Sequence, residues 1–375
     1  MMQPSRVFVK AQTDPEAAPD VLVRAGKNPR SFAGGFMALA KKHPGTQAAE
    51  DALVWVTSHV IFGPETEEAK RLLTQDHIRS SKLAPIFAFQ WITCGSKATE
   101  RLLREAMVGN PNREIQGLAR YWLARYLVKQ AQWSREARGA GDKVLWVQPH
   151  TMIPPNPIVV EGWGADYVDR VRRLNSQALD GEAETLLARV IETYADIPNN
   201  DKNQRREAKT LGDAARADLH EMQRLAIGKP APDIKGQDLE GRPFRLGDYR
   251  GKVVVLNFGS LFFCDFCRAQ YPHDRSLVER LEGRPFTLVS INAEPTKDRA
   301  ELEAARKAAG NTWRCVWDGD YEGPINVAWT IREYPTIYVL DPQGVIRYKN
   351  VFGKDLERAV SSLLEDMQAE NGASR

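Results

Sequence analysis

The sequence predicts two domains of different class, an all-helical one followed by a layered α/β one. Three observations carry this. Apolar residues recur at helical spacing from Phe36 to about Leu225. The pattern stops at Ile227-Gly228-Lys229-Pro230-Ala231-Pro232, where two prolines within three positions interrupt a helix and mark a boundary. Beyond it, β-branched runs alternate with helical stretches, the grammar of a sheet with helices on its faces. The expected layout is a poorly ordered segment over 1–30, a helical-hairpin domain over 31–226 and the α/β domain over 227–375.

The helical half reads as repeated hairpins. Phe36 to Lys42 is followed by a break at His43-Pro44-Gly45-Thr46 and then by Ala48, Ala49, Ala52, Leu53 and Val56 at helical spacing. The segment from Arg71 to Ile92 is a further candidate. The clearest stripe places Ile115, Leu118, Ala119, Trp122, Leu123, Tyr126 and Leu127 on one face, after Asn110-Pro111-Asn112, where either Asn110 or Asn112 serves as a start signal with Glu114 in the first turn. A last hairpin joins the stretch through Leu186 and Tyr194 to the one beginning at Arg206. Unequal intervals make these degenerate repeats, an α-solenoid-like array or an irregular bundle. Residues 138–164 carry Pro149, Pro154, Pro155 and Pro157 and read as an irregular insert.

In the second half, Val253 to Leu256 is a buried strand, followed by a helix from about Cys264 to Leu281, a strand over Phe286 to Ile291 and a helix over Asp298 to Ala309. Thr336 to Leu340 and Val345 to Asn350 flank Asp341-Pro342-Gln343-Gly344, a turn sequence, and form a hairpin. Asp355 to Met367 closes the domain as a helix.

Composition removes several classes. The chain has 375 residues, 42% hydrophobic and 27% charged, ordinary for a globular protein. Its net charge of +3 comes from interleaved acids and bases, so neither nucleic acid nor an anionic membrane is an expected partner. The longest apolar stretch, Val253 to Phe263, is far shorter than the roughly 20 residues that span a bilayer. Four cysteines are too few for a disulfide scaffold. The start, Met1 to Arg6 leading into the polar run Lys10 to Asp20, has no apolar core, so the chain as written is expected in the cytoplasm; a start further upstream would place it in the cell envelope.

Cys264-Asp265-Phe266-Cys267-Arg268, preceded by Leu256-Asn257-Phe258 and followed by Pro272, resembles the thioredoxin-like, TlpA/ResA-type redoxins, as do Ile227 to Asp233, Leu246 to Lys252 and Tyr334-Pro335-Thr336. The resemblance covers about Ile227 to Met367. It implies a thioredoxin-like α/β/α sandwich and a thiol-disulfide oxidoreductase acting on protein disulfides, with no metal or organic cofactor. A thiol at a helix start faces unpaired backbone N–H groups and the positive end of the helix dipole, which favours the thiolate that attacks disulfides. Cys264 is therefore the expected nucleophile, and Cys267, one turn along the same face, the resolving thiol. The resemblance also implies a cis peptide at Tyr334-Pro335, which makes Pro335 a site residue and lets the Tyr334 backbone pair with substrate.

This chain departs from such relatives in having Phe263 and Phe266 where Trp and Pro are usual; both are candidate substrate contacts. The approach from Gly259 to Phe263 is one residue longer, and Gln270 stands where a titrating Glu is found in relatives. Glu294 and Asp265 are the candidates to tune thiol ionisation instead. Asp265, next to the nucleophile, opposes its thiolate, which favours a reductant or isomerase. The expected partners are a protein thiol or disulfide substrate, an electron-donor redoxin and, on the helical half, a protein. The main alternative is a weakly catalytic adaptor whose helical half binds that protein, which burial of both motif sulfurs would favour over partial exposure of Cys264. A peroxiredoxin-like peroxidase is a lesser one, because Leu261 occupies the position three before Cys264 where a hydroxyl is needed. A zinc site would require distant Cys94 and Cys315 to converge on the motif; both fit better as buried apolar residues.

Overall fold

A computed structural model describes residues 29–60, 63–88, 95–139, 167–199, 208–294 and 298–373. The expected N-terminal segment 1–30, the insert 138–164 and Cys94 lie almost wholly outside these residues.

The first compact unit is helical. Its helices are α1 (Arg30–Lys42), α2 (Gln47–His59), α3 (Pro64–Asp76), the short α4 (Ala84–Phe87), α5 (Lys97–Gly109), α6 (Arg113–Gly139), α7 (Tyr167–Arg173), α8 (Ser176–Thr193) and α9 (Leu211–Arg224). The turns are punctuated by side chains that satisfy the free N–H groups of helix starts. Thr46 accepts from Ala49 N (3.2 Å), Ser96 from Thr99 N (3.0 Å) and Asn175 from Ala178 N (3.1 Å). At α6 the two asparagines divide the work. Asn112 accepts from Glu114 N, while Asn110 accepts from Asn112 N and donates to the carbonyls of Ile78 and Ser80. Packing runs in chain order, α1 on α2, α2 on α3, α3 on α5, α5 on α6 and α6 on α8, as expected of stacked hairpins that touch mainly their neighbours. All seven residues of the stripe from Ile115 to Leu127 are buried.

The second unit is built on a five-stranded sheet. Its strands are β3 (Val253–Gly259), β4 (Phe286–Asn292), β5 (Arg314–Trp317), β6 (Thr336–Leu340) and β7 (Ile346–Lys349), preceded by a small antiparallel hairpin of β1 (Lys235–Gln237) and β2 (Pro243–Arg245). The sheet order is β5-β4-β3-β6-β7. Strands β3, β4 and β5 are parallel, with Gly259 opposite Asn292, and β6 and β7 are antiparallel to their neighbours. Every residue of β3 is buried, Asn257 among them, which explains the apolar run from Val253 to Leu256: a strand covered on both faces presents neither to solvent. The β6–β7 turn follows its sequence. Gly344 has a φ of +74°, and Asp341 accepts from Val345 N at 2.8 Å.

One face of the sheet packs against α10 (Asp265–Arg280), α11 (Arg299–Ala308) and α13 (Gly353–Ala373) through a cluster that includes Val255, Cys264, Cys267, Leu302, Val360 and Leu364. The other face is covered around Phe258, Trp329 and Tyr338, with the short helix α12 (Pro324–Ala328) beside it. The result is a thioredoxin-like α/β/α sandwich.

The two units divide between Arg216 and Ala217, inside α9, about ten residues before the expected boundary at 226/227. The physical reason is packing. Leu225 is buried in the Phe258–Trp329 cluster, Asp218 pairs with Arg332 and Glu221 with Lys349. The end of α9 therefore belongs to the α/β unit despite its helical grammar. A fragment from Ala217 to Arg375 is expected to exceed one from Ile227 by about 2 to 3 kcal/mol in urea unfolding, the scale of one fully buried leucine. Equal unfolding midpoints would refute this assignment of the α9 end.

Candidate active site

The buried strand β3 ends at Gly259, and the chain then has to cross from the sheet to the start of α10 in five residues. Glu294, fully buried just after β4, holds that crossing. Its carboxylate accepts from Ser260 Oγ at 3.0 Å and from the backbone N–H of Leu261, while Ser260 Oγ accepts from Phe263 N at 2.9 Å. Burial raises the Glu294 pKa, and these hydrogen bonds oppose the rise. The extra residue of the approach is thus absorbed in a tied loop, and Glu294, expected as a thiol-tuning group, is positioned as the anchor of that loop.

Cys264 is the N-cap of α10, and its Sγ accepts from Cys267 N at 2.9 Å. The two cysteines are joined in a disulfide. Cys264 is 7% exposed and Cys267 1%, so the expected partial exposure of Cys264 is not found. The physical reason lies in the packing around the bond. The disulfide sits in the apolar cluster, with half-buried Phe262 and Tyr334 packed against it. Most of the residual access is on Cys264. The motif aromatics do face solvent, with Phe263 54% and Phe266 40% exposed.

The Tyr334–Pro335 peptide is cis. The Tyr334 side chain packs against the cluster containing both cysteines and lies 5.6 Å, ring to ring, from the exposed Tyr321. Tyr321 carries no sequence signal, because it enters from a distant loop. Asp265 is exposed and paired with Arg268, which also donates to the Phe262 carbonyl at 2.8 Å. The charge expected to oppose the thiolate therefore arrives with a neighbouring cation that favours it.

Beneath the motif lies a buried polar group absent from the sequence-based candidates. Asp274 is fully buried on α10. Its carboxylate accepts from Asn257 Nδ2 and Gln270 Nε2, both at 3.0 Å, and Gln270 Oε1 in turn accepts from Gly353 N at 3.2 Å. Gln270 is thus occupied in orienting an acid and does not titrate. Spacing offers the signal, since Asp274 is seven residues, or two turns, beyond Cys267 and so lies on its face. Burial pushes the Asp274 pKa up to about 6, against the pull of Gln270, Asn257 and His273.

Cys315 is buried in β5 and accepts from Asn292 Nδ2; burial pushes its thiol up to about 12. Among the described residues no group of His, Cys, Asp and Glu is placed to hold a metal ion, and no helix is long and apolar enough to cross a membrane.

Burial makes the folded chain hold the Asp274 proton more tightly than the unfolded one. The stability this contributes is fully present below the unfolded value of 3.8 and is lost as pH rises through about 6. Relative to Asp274→Asn, the wild type should therefore gain up to about 3 kcal/mol of unfolding free energy between pH 7.5 and 4. A difference that stays flat over that range would contradict the buried, proton-holding environment.

Comparison with known proteins places this architecture. The AhpC/TSA family matches residues 227–349. The thiol-disulfide oxidoreductase ResA of Geobacillus thermodenitrificans is 30% identical over 144 residues, covering 38% of this chain and 79% of that protein. The thiol:disulfide interchange protein DsbE of Yersinia pestis is 30% identical over 128 residues, covering 33% of this chain and 63% of that protein. The thioredoxin domain of a thiol-disulfide oxidoreductase from Bacteroides vulgatus is 26% identical, with a TM-score of 0.34, and the match covers 37% of this chain and 98% of that domain. With its paired cysteines at a helix start and its thioredoxin-like sheet, the chain belongs to the ResA-type thiol-disulfide oxidoreductases of the redoxin superfamily, with a helical domain ahead of the redoxin domain.

Proposed function

We propose that the chain reduces or isomerises protein disulfides, with Cys264 as the attacking thiol and Cys267 as the resolving one. The observation that carries this reading is the Cys264–Cys267 disulfide at the first turn of α10, with the Cys264 sulfur serving as the helix cap. A Cys264 thiolate attacks a substrate disulfide, forming a mixed disulfide and releasing one substrate thiolate. Cys267 then attacks the Cys264 sulfur, which releases the second thiolate and forms the internal disulfide. A dithiol redoxin returns two electrons and two protons to complete the cycle. The exposed Phe263 and Phe266 offer apolar contact beside the motif, and the Tyr334–Pro335 loop offers backbone for an extended substrate segment.

The balance of charge around Cys264 bears on direction. Asp265 raises the energy of a thiolate and Arg268 lowers it. Asp265→Asn should raise the reduction potential and Arg268→Gln should lower it, each by at most on the order of 30 mV. Equilibration against glutathione reads both. A wild-type potential above that of the glutathione couple would overturn the reducing role.

A second reading is favoured by one observation, the burial of both sulfurs. In it the redoxin domain is a weakly catalytic adaptor, and the helical domain binds a protein partner. The peroxidase reading has less support, because Ser260, the nearest hydroxyl to the position such a site requires, is buried and engaged by Glu294 and Phe263 N. Cys267→Ser separates the first two. If Cys264 exchanges, the variant should accumulate mixed disulfides with protein substrates, and the wild type should reduce insulin. A folded variant that traps nothing, alongside a wild type that leaves insulin intact, would favour the adaptor.

A further inference from the structure

The loop between α12 and β6 carries Tyr334 and Pro335, and it leaves α12 through a strained residue. Thr330, which is β-branched, has a φ of +49°, in the left-handed region that such side chains avoid. A conformation of this kind persists only where its surroundings over-determine it. Here the surroundings include the end of α9. His220 Nδ1 lies 3.4 Å from Thr330 Oγ1. Asp218 pairs with Arg332, two residues before Tyr334, and the two side chains are only 9% and 20% exposed. Glu221, one turn on, lies 3.9 Å from Arg332 and pairs with Lys349 of β7, whose ammonium stands 5.1 Å from the centre of the Tyr338 ring. Leu225, a further turn along the same face, shares a buried cluster with Trp329 and Ile331. Tyr334 packs against that cluster and also against the one that holds both cysteines.

We infer that Asp218 is a positioning residue for the substrate-binding loop: its ion pair with Arg332 sets where the Tyr334–Pro335 backbone stands relative to Cys264. A guanidinium this buried keeps its place only beside a counter-charge. Without the carboxylate it would turn to water and take with it the chain two residues before Tyr334. A substrate segment paired with that backbone brings its disulfide to Cys264 only when the loop is in register with the start of α10.

The two carboxylates of α9 divide the work. Glu221 is engaged by Lys349 and ties the helix to β7, which leaves Asp218 as the main counter-charge of Arg332. Asp218 acts through Arg332 and takes no part in the exchange of electrons. The inference rests on thiol-disulfide exchange with a protein substrate, as proposed above, but not on its direction.

The test compares full-length wild type and Asp218→Ala by hydrogen exchange and by insulin reduction. The amides of Thr330 and Ile331 donate to the carbonyls of Val327 and Asn326 at 3.0 and 2.9 Å. In the variant their exchange should quicken about tenfold while amides of β3 and α10 keep the wild-type rate. KM for insulin should rise about tenfold and kcat change by less than about twofold, with the reduction potential against glutathione unmoved. A merely structural loss would lower the folded fraction, and so kcat, and leave KM alone. Arg332→Ala should give the same pattern, and the double variant no more than either single one, because the pair acts as a unit. Asp218→Asn, which keeps the size and removes the charge, decides the matter should Asp218→Ala fail to fold. The inference is overturned if loop exchange in the folded variant matches the wild type, if KM stays put, or if the two single effects add. A wild type that leaves insulin intact refutes the enzymatic reading, whereas unchanged loop exchange refutes the role of Asp218, and the two results are independent.

Discussion

The redoxin domain depends on one strand. β3 is buried at every position and hydrogen-bonded on both sides, parallel to β4 and antiparallel to β6. Its ladder fixes where the chain leaves the sheet, and each feature of the site is measured from that exit. The crossing loop is tied to Glu294, which follows the neighbouring strand. The disulfide packs over Gly259, where any larger residue would meet the Cys267 sulfur. Asn257 reaches from the same strand to the acid on α10. Shifting β3 by one residue would turn Asn257 and Gly259 to the opposite face and separate all three.

Much of this architecture is legible in the amino-acid sequence. The switch from helical spacing to strand–helix alternation is a property of which positions are apolar, and it survives folding because burial enforces it. The β6–β7 turn is legible because Asp341 and Gly344 impose it locally. The domain boundary is less so. Residues 217–224 are helical by every local rule, and only the distant partners Arg332 and Lys349 show which core they join. The extra residue of the crossing loop is visible in the spacing, but its consequence depends on Glu294, which is remote in the chain. The burial of Cys264 runs against expectation because the apolar cluster that encloses the disulfide is assembled from segments far apart in the chain, among them Leu239, Val255, Ile337 and Val360. Asp274 escapes notice for the opposite reason: a charged residue in a polar helix looks like a solvated face until the sheet is laid against it.

The polar groups of the site fall into two kinds. Asp265 and Arg268 form an exposed ion pair of the sort worth about 0 to 1 kcal/mol, which shapes local potential more than stability. Glu294 and Asp274 are buried, and hydrogen bonds from backbone and amide groups hold them. Burying such acids opposes folding unless they are protonated or hydrogen-bonded, and here the partners come from the crossing loop, β3 and α10.

The same cluster that encloses the disulfide also contains the third cysteine of the domain, Cys315. Three sulfurs in one core invite scrambling, since any thiolate near a disulfide can enter it. Burial pushes the Cys315 thiol up to about 12, which keeps it protonated at neutral pH, whereas exchange proceeds through the thiolate. Its isolation is kinetic: a sulfur held in the wrong protonation state is a bystander, and the domain carries a spare cysteine without acquiring a competing disulfide.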